Sequence, residues 1–92
     1  MAVDLLQMLK IDLGITTNAY NERLIGVLNS AQKLIKREGA TLDLTDAEDT
    51  QIVVMYAAWL WRRRDSGEGM PRMIRYALNN RVFSEKMRAD NG

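Results

Sequence analysis

Cysteine and histidine are both absent from this 92-residue sequence. Their absence removes disulfides, zinc fingers, thiol nucleophiles, imidazole bases and the commonest soft metal ligands together. Ser-His-Asp and Cys-His catalysis have no complete set of members, and a chain without cysteine suits a reducing compartment. Proline occurs once, so helical periodicity can run long distances without a break. No uninterrupted apolar run approaches the roughly 20 residues that span a bilayer, and no basic-then-apolar leader opens the sequence. The expectation is a protein that neither crosses a membrane nor is exported.

A chain of this length buries about two thirds of its unfolded surface and supports one core, whose net stability is a few kcal/mol. Small domains commonly supplement such a core with disulfides, a metal or contacts with other chains. Here only the last remains. The formal net charge of +1 conceals an asymmetry: residues 1–50 carry 5 basic and 8 acidic side chains, residues 51–92 carry 8 basic and 4 acidic. A basic half is a nucleic-acid footprint in some proteins, but this one is diffuse and reads first as a solvated helix face.

Apolar spacing predicts an all-α protein, a small bundle of about four helices. The first helix is expected over about 2–13, with Leu5, Met8, Leu9 and Leu13 on one side. Gly14 supplies a left-handed stop, Ile15 folds back on the last turn, and Thr16 to Asn18 offer caps to the next helix. The second, about 19–38, sets Leu24, Val27, Leu28, Ala31, Leu34 and Ile35 opposite Arg23, Gln32, Lys33, Lys36 and Arg37, and Gly39 closes it. Thr45 to Glu48 reads as a capping box for the third helix, about 46–64. On that helix Ile52, Met55, Tyr56, Trp59 and Leu60 form one apolar face, while Val54, Ala57, Ala58 and Trp61 cover the other. A helix apolar all round is buried all round. Either it is the bundle's central helix, or Val54, Ala57, Ala58 and Trp61 form a subunit interface. Pro71 suits a first helical turn, so the fourth helix is expected over about 71–79, burying Met73, Ile74, Ala77 and Leu78 before Asn79 and Asn80 end it. Residues 1–80 then form one domain, and 81–92 an extended or partly disordered C-terminal tail carrying Val82 and Phe83.

The carboxylates Asp46, Glu48 and Asp49 are accounted for by helix capping and Asp65 and Glu68 by a turn. Ser30, Ser66 and Ser84 have no base, and neither a phosphate loop nor a calcium-loop register is present. No catalysis, no cofactor and no metal are expected. Arg62, Arg63 and Arg64, with Arg72 and Arg75 on the next helix, are open to three readings: helix-end electrostatics, contact with an acidic neighbouring subunit, or contact with DNA phosphates. Trp59 and Trp61 point to roughly opposite sides of their helix; Trp59 is the core candidate and Trp61 the intersubunit anchor.

In order, the Leu13-Gly14-Ile15 stop, an amphipathic helix, an acidic-capped helix with Tyr56, Ala57 and Trp59, then Met70-Pro71 and Leu78-Asn79-Asn80, resemble the phage head-tail connector proteins, also described as DNA-packaging or head-completion proteins. The resemblance spans nearly the whole chain, most of all 46–86, and rests on layout rather than on a chemical motif. It implies a virion assembly protein of a phage or prophage: one subunit of a homo-oligomeric, dodecameric ring at the head-tail junction, made in the host cytoplasm. Such a ring docks beneath the portal protein, meets a tail or stopper protein and passes DNA through its bore with non-specific contact only. It also implies that Val82 and Phe83 contact the portal or a neighbour. Two other classes compete. One is a small helix-turn-helix-like DNA-binding regulator using Arg72, Arg75 and Asn79, against which residues 65–70 are long for the turn; the other is a helical adaptor.

Overall fold

The computed structural model describes residues 4–66 and 69–91, with the side chains of 64–66 and 88–91 outside that description. Four helices follow one another: α1 (Leu5–Leu13), α2 (Asn21–Arg37), α3 (Ala47–Ser66) and α4 (Arg72–Asn91). No strand occurs among the described residues.

Local chemistry sets most of the helix ends. The Asp4 carboxylate accepts from the Gln7 N–H at 3.0 Å and so starts α1 at Leu5. At its other end Gly14 adopts φ 72°, and the N–H groups of Gly14 and Ile15 donate back to the carbonyls of Ile11 (3.2 Å) and Lys10 (2.9 Å). This is the paired closure that leaves few orphan carbonyls, and only glycine takes that backbone without a steric penalty. The polar run before α2 does not cap it directly. Thr17 Oγ1 accepts from the Ala19 N–H, and Tyr20, at the cap position, makes no side-chain cap bond. Gly39 closes the far end with φ 106°.

The capping box expected at Thr45 does not form. The Thr45 hydroxyl donates to the Asp43 carboxylate, and Asp46 takes the cap position, its Oδ1 accepting from the Glu48 N–H at 2.8 Å and its carbonyl from the Thr50 N–H. The Thr45 bonds, side chain first and backbone second, hold the Asp43 carboxyl below its usual pKa.

Helix α3 is the centre of the molecule, touching α1, α2 and α4. The run from Ile52 to Trp61 is apolar without a break. Its two faces are both used inside the chain: Ile52, Val53, Val54, Tyr56, Ala57 and Ala58 are buried together with Leu9, Leu24, Leu28, Ala31, Ile35, Ile74 and Leu78. Val54, Ala57 and Ala58 are 2%, 0% and 2% exposed, so they are core residues and not a subunit interface. The reason is geometric: α1 and α2 cover the side of α3 that α4 leaves open, and the small alanines allow close approach. Trp61 is half-buried and packs edge-on against Tyr20 of the same chain, ring centroids 5.9 Å apart.

The largest departure from expectation is the C-terminus. Helix α4 continues through the Asn79-Asn80 pair to Asn91, so the anticipated boundary at residue 80 falls in mid-helix and the tail is helical. Asparagine in a helix interior is less favourable than alanine by only about 0.7 kcal/mol. That is outweighed by Ile74, Leu78 and Val82, which share one face at four-residue spacing, and by the ion pair Arg81–Glu85 one turn apart (2.9 Å). The start also moves: Pro71 precedes α4, and its carbonyl accepts from the Arg75 N–H.

Gly14→Ala should lower stability by about 1–2 kcal/mol, the penalty for a Cβ in the left-handed region. The expected readout is a lower urea midpoint with unchanged slope; an unchanged midpoint would show that the α1 closure does not need glycine.

Candidate functional site

Helix α4 is held on the body by a buried polar cluster. The Asp49 side chain, 2% exposed, accepts from Arg81 Nε at 2.7 Å and Nη2 at 3.3 Å, and from the Asp43 N–H at 2.8 Å. Arg81, 12% exposed, also donates through Nη1 to Glu85 and through Nη2 to the Thr41 carbonyl. Hydrogen bonding to Asp49 first, and to Glu85 second, pushes the guanidinium pKa still higher. One arginine thereby ties α4 to the first turn of α3 and to the connector before it. Two further contacts support the placement. Arg75 Nη1 pairs with Glu38 at 3.1 Å, and Val82 lies against Gly39, where a Cβ would sit 3.6 Å from Cγ1.

These contacts fix the rotation of α4 and hence what it shows to solvent. Ile74 and Leu78 face inward. Outward stand Met73 (74% exposed), Tyr76 (62%), Phe83 (63%) and Met87 (48%), with Asn80 exposed among them. Lone exposed hydrophobes are ordinary, but four large ones along one helix make this face the candidate interaction surface. A groove runs beside this face, lined by Ile52, Met55, Ala77, Asn80, Arg81 and Ser84 among others. Separately, Ile11, Tyr20 and Ile25 are exposed on α1, the following turn and α2.

The residues singled out from sequence are distributed unevenly over this surface. Phe83 is on it. Val82 is half-buried against the core, so it is held within the chain and is not a free contact residue. Arg63 sits over the Trp59 ring, 4.9 Å from its centroid, and Trp59 Nε1 donates to the Gly69 carbonyl at 3.1 Å. Tyr56 meets Trp59 edge-on. Arg75 is engaged by Glu38, whereas Arg62 and Arg72 are exposed. Arg64 lies in the last turns of α3 with its side chain outside the described set, and Gly67 and Glu68 of the expected turn fall outside the described residues altogether. Two of these arginines are thereby engaged within the chain, Arg63 on the Trp59 ring and Arg75 on Glu38.

Met73, expected in the core with Ile74 and Leu78, instead faces solvent because the inward side of α4 is set by Ile74, Leu78 and Arg81; sequence reasoning also missed Tyr76 and Met87 as surface residues and Asp49, Arg81 and Glu85 as a cluster. A signal for the first set exists: residues 73, 76, 80, 83 and 87 are separated by alternating steps of three and four, a single helix face. Among the described residues no group of acidic side chains is arranged to hold a metal, and no helix is long and apolar enough to cross a membrane. Comparison with protein families, with characterised proteins and with solved structures finds no match to this chain.

Arg81→Met should destabilise the protein by about 3 kcal/mol or more, because it leaves the Asp49 carboxylate buried without its counter-charge. Adding Asp49→Asn removes that charge while keeping an acceptor for the Asp43 N–H, and should recover a large part of the loss in urea unfolding. A loss under about 1 kcal/mol for the single variant would show that α4 is held by apolar packing alone.

Proposed function

We propose that this chain is a non-enzymatic structural protein, a phage head-tail connector subunit that acts through protein-protein contact. The observation that carries the reading is the row of exposed large apolar side chains on α4, held outward by a buried ion pair on the helix's other side. A binding face of that kind suits a partner protein better than a small substrate or a nucleic acid.

The layout resemblance supplies the specific assignment, and the physics adds one point in its favour. A head-to-tail ring requires two different patches on each subunit. The outer face of α4 is one candidate, and Ile11, Tyr20 and Ile25 are candidates for the second. This replaces the outer side of α3, which the core consumes. In such a ring the subunits would extend the portal channel toward a tail or stopper protein and pass DNA through the bore, with Arg62 and Arg72 the exposed basic side chains nearest to hand for loose phosphate contact.

Co-expression with the portal protein of the same genome, followed by negative-stain imaging, tests the reading. A ring of about a dozen copies stacked on the portal is expected, lost in Ile25→Glu or Phe83→Glu. Absence of any complex between the two proteins would overturn it.

A further inference from the structure

The outward face of α4 has a stricter order than an apolar patch needs. Met73, Tyr76, Asn80, Phe83 and Met87 follow one another at steps of 3, 4, 3 and 4, the spacing of a coiled-coil seam with Asn80 at its middle. An alternating 3-4 repeat averages 3.5 residues, which matches another helix lying alongside rather than a flat surface or an extended peptide. The residues flanking the seam on one side, Ala77 and Ser84, are small enough to allow that approach.

We infer that the seam pairs with the same seam of a second copy, the two α4 helices running parallel and in register. Three observations select this occupant. First, in a parallel pair Asn80 meets the partner's Asn80, so two amides satisfy each other in an otherwise apolar layer, the arrangement by which a single polar seam residue sets register and pair number. An antiparallel pair either sets Asn80 against Phe83 of the partner or brings Arg72 opposite Lys86 of the partner at both ends. Second, no like charges oppose each other across the parallel seam, where Arg72 lies near Ala77 and Asn79 near Ser84. Third, an aromatic side chain carries roughly 150–250 Å2, so the exposed fractions of Met73, Tyr76, Phe83 and Met87 amount to something on the order of 500 Å2 per copy. With the flanking residues that approaches the roughly 800 Å2 per partner of a standard interface.

Two heptads are short for a free-standing coiled coil. Here, however, α4 is already folded on its own domain, so pairing does not have to nucleate a helix. A weak, reversible dimer follows, with dissociation on the order of micromolar. The contact is two-fold, using one patch twice, and it occupies the α4 face that the connector reading gives to a ring contact, so a ring would have to exchange it for head-to-tail contacts.

Sedimentation equilibrium over a concentration series should give twice the chain mass at the upper end, and Phe83→Glu a single-chain mass throughout, with unchanged circular dichroism because Phe83 is exposed. The direction of pairing is read separately. The chain has no cysteine, so Met87→Cys introduces one thiol, and in the parallel pair the two thiols are neighbours that an added two-electron oxidant, such as oxidised glutathione, converts to a disulfide-linked dimer. A single-chain mass at all concentrations, a dimer that survives Phe83→Glu, or failure of Met87→Cys to cross-link while the dimer persists would each overturn the proposal. A dimer without any portal-bound ring would sink the connector reading and leave this contact standing.

Discussion

The pair Asp49–Arg81 is the constraint on which the rest of the surface depends. Helix α4 packs chiefly on α3, and its own apolar inner stripe, Ile74, Leu78 and the half-buried Val82, is thin. Removing both charges from water carries a desolvation penalty of several kcal/mol per ion, offset only where geometry is good and every donor is used. The cluster comes close to this: Asp49 accepts three hydrogen bonds, and Arg81 donates four, two to Asp49 and one each to Glu85 and the Thr41 carbonyl. The connector at 41–43 is thereby anchored at both α3 and α4, which explains how a segment with no regular structure stays in place.

How far the sequence foretold this varies with the range of the interaction. The end of α1 is local, a left-handed glycine followed by an apolar residue, and it reads directly from Leu13-Gly14-Ile15. The stripe on α2 is equally legible, because Leu24, Leu28, Ala31 and Ile35 report one buried face whatever covers it. On α3 the composition showed burial on both sides but not by what; only the placement of α1 and α2 decides between a neighbour and the chain's own core. Asp49 and Arg81 are 32 residues apart, and no local pattern links them. Each had a sufficient local explanation, Asp49 as an acid near a helix start and Arg81 as part of a polar end.

The stop expected at Asn79-Asn80 failed for a related reason. Asparagine is common just past helix ends because it tolerates the left-handed backbone, but that is a tolerance and not a demand. Neither residue takes positive φ here, since the only described residues that do are Gly14 and Gly39. The face that the helix would lose by stopping includes Arg81 and Val82, both of which have partners within the chain.

Helix α4 inverts the usual arrangement, with its ion pair inside and its largest hydrophobes outside. A helix with apolar residues on two sides can dock with either side inward at similar energy, since dispersion and burial have no direction. Rotating α4 by half a turn would turn the bulkier set Met73, Tyr76 and Phe83 inward and release Ile74 and Leu78. It would also strand Asp49 in the body without its guanidinium, and that asymmetry selects one orientation over the other. The inner charge pair therefore matters less for the stability it adds than for the alternative it excludes. Its consequence is that Met73, Tyr76, Asn80, Phe83 and Met87 stay on the surface as one aligned row, available to another chain.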